Sequence, residues 1–369
     1  MQPPSYLRFL LDNACAAHKP VSGTFELTSR CNFRCRMCYI HCNALDRAAL
    51  SKERDTAWWL DMARQLHDCG TLTLLLTGGE PLLRPDFAEI YRRCRELGML
   101  VSVNTNAALM TPELIDLFEA VKPMRLNISL YGASDETYRA LCGVDGVYSQ
   151  VRENLLALRA RDVDVKLNYT VTPENIHEAA GIIAFGKENG MKVQAASYLF
   201  PPVRAENGTQ RTVHRTDAET SACYRYRCET LLFSEQELAA RRQSATDASA
   251  QATLLPDPDY AAPHEKLRCR ASVSAFWVSW KGMLLPCGML PAPSCDLTET
   301  PFAEAWEALK TKTAALRLPA ACSACALRGQ CEVCAASCYA ETGRTDGVPQ
   351  YLCARTKEYL RLLTEDTPC

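Results

Sequence analysis

The sequence predicts an α/β fold, an open, partial (β/α)6 TIM-like barrel followed by a loop-rich, cysteine-rich C-terminal domain. Three observations predict it. Six β-rich runs alternate with helical patterns up to about residue 200, the alternation then stops, and cysteines gather at 31–38 and again between 269 and 353.

The runs are GTFELT at 23–28, TLTLLLT at 71–77, LVSVNTN at 100–106, MRLNISL at 124–130, VDVKLNYTV at 163–171 and KVQAASY at 192–198. DTAWWLDMARQLHDCG has apolar residues at helical spacing and stops on Gly70. TPELIDLFEAV opens with Thr111 as N-cap, Pro112 in the first turn and Glu113 beside it. The same device is expected at Thr172–Pro173–Glu174, in a helix ending at Gly190. Strand–helix alternation implies parallel strands covered by helices, and six units fall short of the eight that close a barrel. From about 201 the chain turns irregular, rich in Pro, Ser, Ala and Asp, with one helix expected around FSEQELAARR. The expected organisation is an extension at 1–20, the barrel at 21–215, a linker at 216–265 and the cysteine-rich domain at 266–369. That last domain is expected to owe its order to bound metal rather than to a large apolar core.

Composition excludes several classes. A net charge of −2 offers no basic excess for nucleic acid, and no apolar stretch is long enough for a bilayer span. The N-terminus lacks a signal-peptide pattern, so the cytoplasm is the expected location. Twenty cysteines in a long chain of that kind point to metal more than to disulfides.

CNFRCRMCY places Cys31, Cys35 and Cys38 within eight residues, ahead of Tyr39. A structural zinc site is normally closed by four ligands, and His41 and Cys42 are the nearest candidates for a fourth. A four-iron cluster held by three thiolates would instead keep one iron open for a small molecule. The motif resembles the cluster loop of the radical S-adenosylmethionine (radical SAM) enzymes, and it follows the first predicted strand. The second strand runs into TGGEPLL, which is similar to that family's glycine-rich motif at Gly78, Gly79, Glu80 and Pro81. The resemblance implies a [4Fe–4S] cluster on Cys31, Cys35 and Cys38 whose open iron chelates the amino and carboxylate groups of S-adenosylmethionine. Reduction would then yield methionine and a 5′-deoxyadenosyl radical. Gly78 and Gly79 would let the backbone approach the amino group, and Glu80 would accept from it. By position at strand ends, Asn104, Asn106, Ser129 and Asn168 are candidate contacts to the ribose or methionine part. Tyr39 and Tyr198 are candidates for the adenine. Relatives often have an acidic residue after the serine strand, where this chain reads Leu130–Tyr131–Gly132.

The tail resembles the SPASM extension. Cys269, twelve residues, Gly282, four residues and Cys287 match its opening, and CSAC, five residues and Cys331 match its centre. FWVSWKGMLLPC is expected to form a hairpin turning at Lys281–Gly282. Where that pattern has a further cysteine, this chain has Ala335, with Cys334 and Cys338 on either side. The resemblance implies two auxiliary [4Fe–4S] clusters, one on Cys269, Cys287 and Cys338, the other on Cys322, Cys325, Cys331 and Cys353. Cys334 or Cys295 would supply an eighth ligand. Two four-cysteine zinc sites would use the same thiols.

The implied function is hydrogen abstraction leading to oxidative modification, a thioether or carbon–carbon crosslink, of a ribosomally made peptide or protein. Formylglycine formation of the sulfatase-maturing kind and small-molecule dehydrogenation are the alternatives, and an iron–sulfur electron carrier or scaffold is the alternative of another class. For the sulfatase-type reaction an acidic base is wanted at the barrel mouth. The sequence does not single one out, and Asp135 is the candidate carried forward. Expected partners are a reductant such as ferredoxin or flavodoxin and a separate leader-peptide-binding protein, since residues 1–20 are too few for a winged-helix recognition domain. Tyr198, Phe200, Phe276, Trp277 and Trp280 could line a peptide groove, although hairpin aromatics more often fill a core.

Overall fold

A computed structural model describes residues 6–40, 42–201, 216–252 and 266–365. After helix α1 (Tyr6–Ala16), six strands coincide with the predicted runs: β1 (Ser22–Glu26), β2 (Thr73–Thr77), β3 (Leu100–Thr105), β4 (Arg125–Ser129), β5 (Val165–Thr170) and β6 (Lys192–Ala196). They pair in parallel and in sequence order. Between them run α2 (Thr56–Asp68), α3 (Phe87–Glu96), α4 (Pro112–Ala120), α5 (Tyr148–Ala160) and α6 (Ala179–Glu188).

The local causes are legible. In α2, Asp55 accepts from the Trp58 N–H, and Trp59, Met62, Ala63 and Leu66 bury one face before Gly70 turns the chain out at φ 85°. Thr111 caps α4 as expected. Along the strands, Val101, Val103, Leu126, Ile128, Val165 and Leu167 face the helices and are buried. The alternate positions, Asn104 and Ser129 among them, face the lumen.

Three expectations need correction. Thr172 does not cap a helix, because Asn175 intervenes: its Oδ1 accepts from the Thr172 N–H (2.7 Å), and its Nδ2 donates to the Tyr131 and Thr170 carbonyls (2.9 and 2.8 Å). The helix α6 starts only at Ala179. The segment expected as a linker at 216–265 carries two helices, α7 (Ala218–Leu232) and α8 (Glu235–Ala252). Good helix formers such as Ala, Glu, Gln and Arg outweigh its Ser, Thr and Asp. Both helices pack against α11 (Gln350–Glu365). The irregular stretches at 202–215 and 253–265 lie outside the described residues.

Nor does the tail stand apart from the apolar core. Strand β7 (Ala275–Val278) adds in parallel to the free edge of β1 and turns at Gly282 into β8 (Met283–Leu285), followed by β9 (Cys295–Asp296). The described residues thus form one nine-stranded sheet, β9-β8-β7-β1-β2-β3-β4-β5-β6. Phe276, and Phe302 and Trp306 of α9 (Phe302–Ala314), continue the barrel's core. Only the later part, with α10 (Ala335–Thr342), builds a second apolar cluster around Leu290, Leu318, Val333 and Leu352.

Candidate active site

At the carboxyl ends of the strands, the loop after β1 brings Cys31, Cys35, Cys38 and Tyr39 to a cavity of about 340 Å³. Gly78 and Gly79 follow β2, Asn104 and Asn106 end β3, Ser129 ends β4 and Tyr198 follows β6, and all border that cavity. Its size is that of a small-molecule site. Phe200, expected to line a peptide groove, borders it too, and sequence reasoning missed Thr77, Thr105, Thr170, Leu199 and, from the tail, Met289. Tyr131 also borders it, its buried phenol close to Ser129, Cys35 and Cys38. Thr170 lies on the same strand face as Asn168, two residues on, a period-2 signal that carries no depth. Asn168 itself is not in the wall.

Two further candidates lie elsewhere. Asp135 is turned away, its Oδ1 accepting from the Tyr148 N–H at 3.0 Å. Glu80 is fully buried behind the wall. Its Oε1 accepts from the Thr105 hydroxyl (2.8 Å) and the Leu82 N–H (3.0 Å), and its Oε2 from the Asn106 N–H (2.7 Å). Burial pushes this carboxyl up to about 7 against the pull of those three donors. Glu80 therefore ties the glycine turn to the end of β3.

The glycines carry a steric reason of their own. A Cβ on Gly79 would lie 2.3 Å from the Arg30 carbonyl oxygen and 2.4 Å from that of Ser29, and one on Gly78 2.5 Å from that of Thr28. The two turns close on each other through Gly79 N–H to Thr28 O (2.8 Å) and Glu80 N–H to Arg30 O (2.9 Å). Gly79→Ala should push the entry to the thiol loop away, costing about 3 kcal/mol in urea unfolding of the apoprotein and lowering its iron content. Gly181→Ala, in open space on α6, should be neutral or stabilising by up to about 1 kcal/mol. Equal stability of the two variants would refute this account.

Beneath the loop lies a charged network. Arg30 forks onto both oxygens of Glu53 (2.7 and 3.1 Å), and the Thr28 hydroxyl donates to the same carboxylate. Arg84 reaches Glu53 at 3.5 Å, pairs with both oxygens of Asp86 (2.9 and 2.6 Å) and donates to the Leu27 carbonyl (3.2 Å). On the loop's far side, the Arg34 and Arg36 N–H groups donate to the carbonyls of Cys142 and Leu141 (both 2.8 Å). The loop is thus held at both flanks by protein alone. His41 lies outside the described residues, and the Cys42 sulfur is 3.7 Å from Asp46 Oδ2.

In the tail, burial and then the nearby thiols of Cys353, Cys331 and Cys325 push Cys322 up to about 11, so these four are electrostatic neighbours. Burial, with Cys322, Cys334 and Cys331 close by, pushes Cys338 up to about 12. Cys287 and Cys334 pack into the same apolar cluster, and Cys269 is exposed. Cys295 sits on β9 against the main core, with Lys312 Nζ at 3.6 Å. Of the aromatics, Phe276 and Trp280 are buried, and the Trp277 indole donates to Glu26 at 3.2 Å. Tyr198 and Phe200 alone of that set border the cavity.

Residues 25–186 match the radical SAM superfamily. That stretch is a radical S-adenosylmethionine domain. The relatives that the chain matches are SPASM-type radical SAM enzymes. Across most of its length it is similar to the AdoMet-dependent heme synthase of Methanosarcina barkeri, 27% identical over 328 residues, 86% of this chain and 92% of that protein. The PqqA peptide cyclase of Xanthomonas axonopodis pv. citri is 30% identical over 172 residues, 47% of this chain and 45% of that one. Among solved structures, Streptococcus suis SuiB bound to precursor peptide SuiA matches 96% of this chain and 82% of its own with a TM-score of 0.66 at 17% identity. Native anSMEcpe with bound AdoMet matches 94% and 98%, again with a TM-score of 0.66 at 17% identity. At that identity the likeness is one of fold.

Radical SAM enzymes use a [4Fe–4S] cluster and S-adenosylmethionine, and auxiliary clusters are typical of SPASM members. The donor set here fits the first of these. Burial, then the Glu80 carboxylate, raises the Cys31 thiol, while the Phe33 N–H pulls it down and Cys35 and Cys38 add further charge nearby. Three such neighbours ionise together only beside a strongly cationic core. Among the described residues no three His, Cys, Asp or Glu side chains converge as a single metal ion requires. Donors to a four-iron cube sit on separate corners and need no such convergence. No helix among the described residues is long and apolar enough to cross a membrane.

Proposed function

We propose that Cys31, Cys35 and Cys38 hold the cluster, that S-adenosylmethionine occupies the 340 Å³ cavity beside them, and that the reaction oxidatively modifies a peptide or protein. The observation that supports this most is the meeting of the thiol trio, the Gly78–Gly79 turn and the polar strand ends around one cavity. When bound, the cofactor pair supplies a 5′-deoxyadenosyl radical that abstracts hydrogen from carbon.

The chain's own residues bind and shield. Asn127 donates to Asn104 Oδ1 (3.0 Å), which leaves the Asn104 Nδ2 as the donor for the cavity. Ser129 and the Tyr131 phenol form a hydroxyl-lined wall, suited to ribose in place of an acidic residue. Asn175 fixes the backbones of Tyr131 and Thr170, so two wall residues share one anchor. Phe33, Met37, Ile40 and Leu199 keep water from the reacting centre. For the tail, the reading assigns Cys322, Cys325, Cys331 and Cys353 to one auxiliary cluster, and Cys269, Cys287 and Cys338 to the other. Cys334, which shares the apolar cluster of Cys287 and Cys338, is a better eighth ligand than Cys295.

The peptide substrate draws on the similarity to PqqA peptide cyclase. A second reading, oxidation of a heme-type tetrapyrrole, draws on the heme synthase, whose similarity spans 86% of the chain. The two separate in an anaerobic assay with dithionite and S-adenosylmethionine. Peptides encoded near the gene, and porphyrin carboxylates, would each be supplied in deuterated form. Deuterium in 5′-deoxyadenosine is expected from the peptides, and label arriving only from the porphyrin would overturn the peptide reading. Intact S-adenosylmethionine under every condition would overturn the radical reading altogether.

A further inference from the structure

Asn106 was expected to face the nucleotide, but its amide is committed elsewhere. Its backbone N–H donates to Glu80 Oε2 at 2.7 Å, and its Oδ1 accepts from the Ala108 N–H at 3.0 Å. The second contact fixes the orientation of the amide, because an NH2 group could not accept that bond. The Nδ2 then has two hydrogens to place. It lies 2.8 Å from Asn32 Oδ1 and 3.8 Å from Cys31 Sγ. The same sulfur accepts from the Phe33 N–H at 3.4 Å. Cys31 therefore receives one N–H from its own loop and one from the end of β3, and Asn106 is only 6% exposed.

We infer that Asn106 sets the reduction potential of the cluster on Cys31 through this N–H···S hydrogen bond. The inference rests on the reading of Cys31 as a cluster ligand. Reduction adds one electron, taken from a low-potential one-electron donor, and the extra negative charge is shared with the ligand sulfurs. A donor dipole aimed at a sulfur stabilises the reduced state more than the oxidised one and so raises the potential. The Asn106 side chain is buried and its amide is held at three points, so the dipole stays aligned. Asn106 is a positioning residue here: it acts on electron entry through Cys31.

The test is an EPR-monitored redox titration of the fully loaded protein without S-adenosylmethionine, on wild type, Asn106→Ala and Asn106→Asp. N106A should lower the equilibrium constant for reduction of the N-terminal cluster about tenfold, which is about 59 mV for a one-electron couple. N106D, which keeps the acceptor for Ala108 but turns an anionic oxygen toward Cys31, should lower it further. The auxiliary clusters serve as internal references and should not move. Asn106→Ser, whose hydroxyl stays near the Ala108 N–H but falls short of Cys31, replaces N106A if that variant does not load its cluster, with the same expected fall. A single midpoint shared by wild type and variants, or a shift shared with the auxiliary clusters, would overturn the role of Asn106 alone. A wild type with no N-terminal cluster signal would instead remove the assignment of Cys31.

Discussion

Replacing Cys31, Cys35 and Cys38 together by alanine is expected to reduce 5′-deoxyadenosine formation to background while the iron of the tail stays in place. The two halves of this expectation have separate structural grounds. The trio borders the cavity, and no other thiol does. Cys287, Cys322, Cys331, Cys334 and Cys338 of the tail belong to another apolar cluster, around Leu290, Leu318, Val333 and Leu352, which includes no residue of the N-terminal loop. The loop should also keep its course without its thiols. Its entry is held by Arg30 on Glu53, and its middle by backbone bonds to Leu141 and Cys142. Chromatography of the nucleoside products and Mössbauer iron counting on one preparation decide it. Full turnover would refute the assignment of the loop, and loss of all iron would show that the two regions load as one unit.

Glu53→Ala is expected to have the largest effect on stability. Glu53 is 6% exposed, and Arg30 and Arg84, its two partners, are 11% and 7% exposed. Removing the carboxylate leaves Arg30 with the Ala44 carbonyl as a neutral acceptor, and buried arginine remains charged. Breaking a buried pair from one side costs about 3–5 kcal/mol. Asp61→Ala removes one carboxylate from Arg64, with both side chains 52% exposed, and should cost no more than about 1 kcal/mol. Urea unfolding of the apoprotein compares the two directly, and similar losses would count against the network. Because Arg30 adjoins Cys31, the Glu53 variant should also load less iron in the N-terminal site.

The local content of the sequence carried the barrel. The six strands, the Thr111 cap, the stops at Gly70 and Gly190 and the Gly282 turn depend on near neighbours, which a linear pattern records. The thiol spacing and the glycine turn were legible for the same reason. The burial of Glu80 was not legible, because the sequence shows an acidic residue in a motif but not the Thr105, Asn106 and Leu82 donors that fold onto it. The bond from Asn106 to Cys31 was not legible either, because that contact spans 75 residues. Glu53 and Arg84 gave no signal, since single charges in a sequence look alike whether buried or solvated.

What the sequence determined, then, is chemistry and local geometry: three thiols ahead of an aromatic residue, two glycines after a strand, and parallel units too few to close. Only the tertiary structure decided that β7 joins the edge of β1, that α7 and α8 pack on α11, and that the charges beneath the thiol loop are buried. The physical reason is range. Periodicity and capping act over a few residues, whereas desolvation and hydrogen bonding between distant segments depend on which surfaces meet, and that is settled only when the chain is packed.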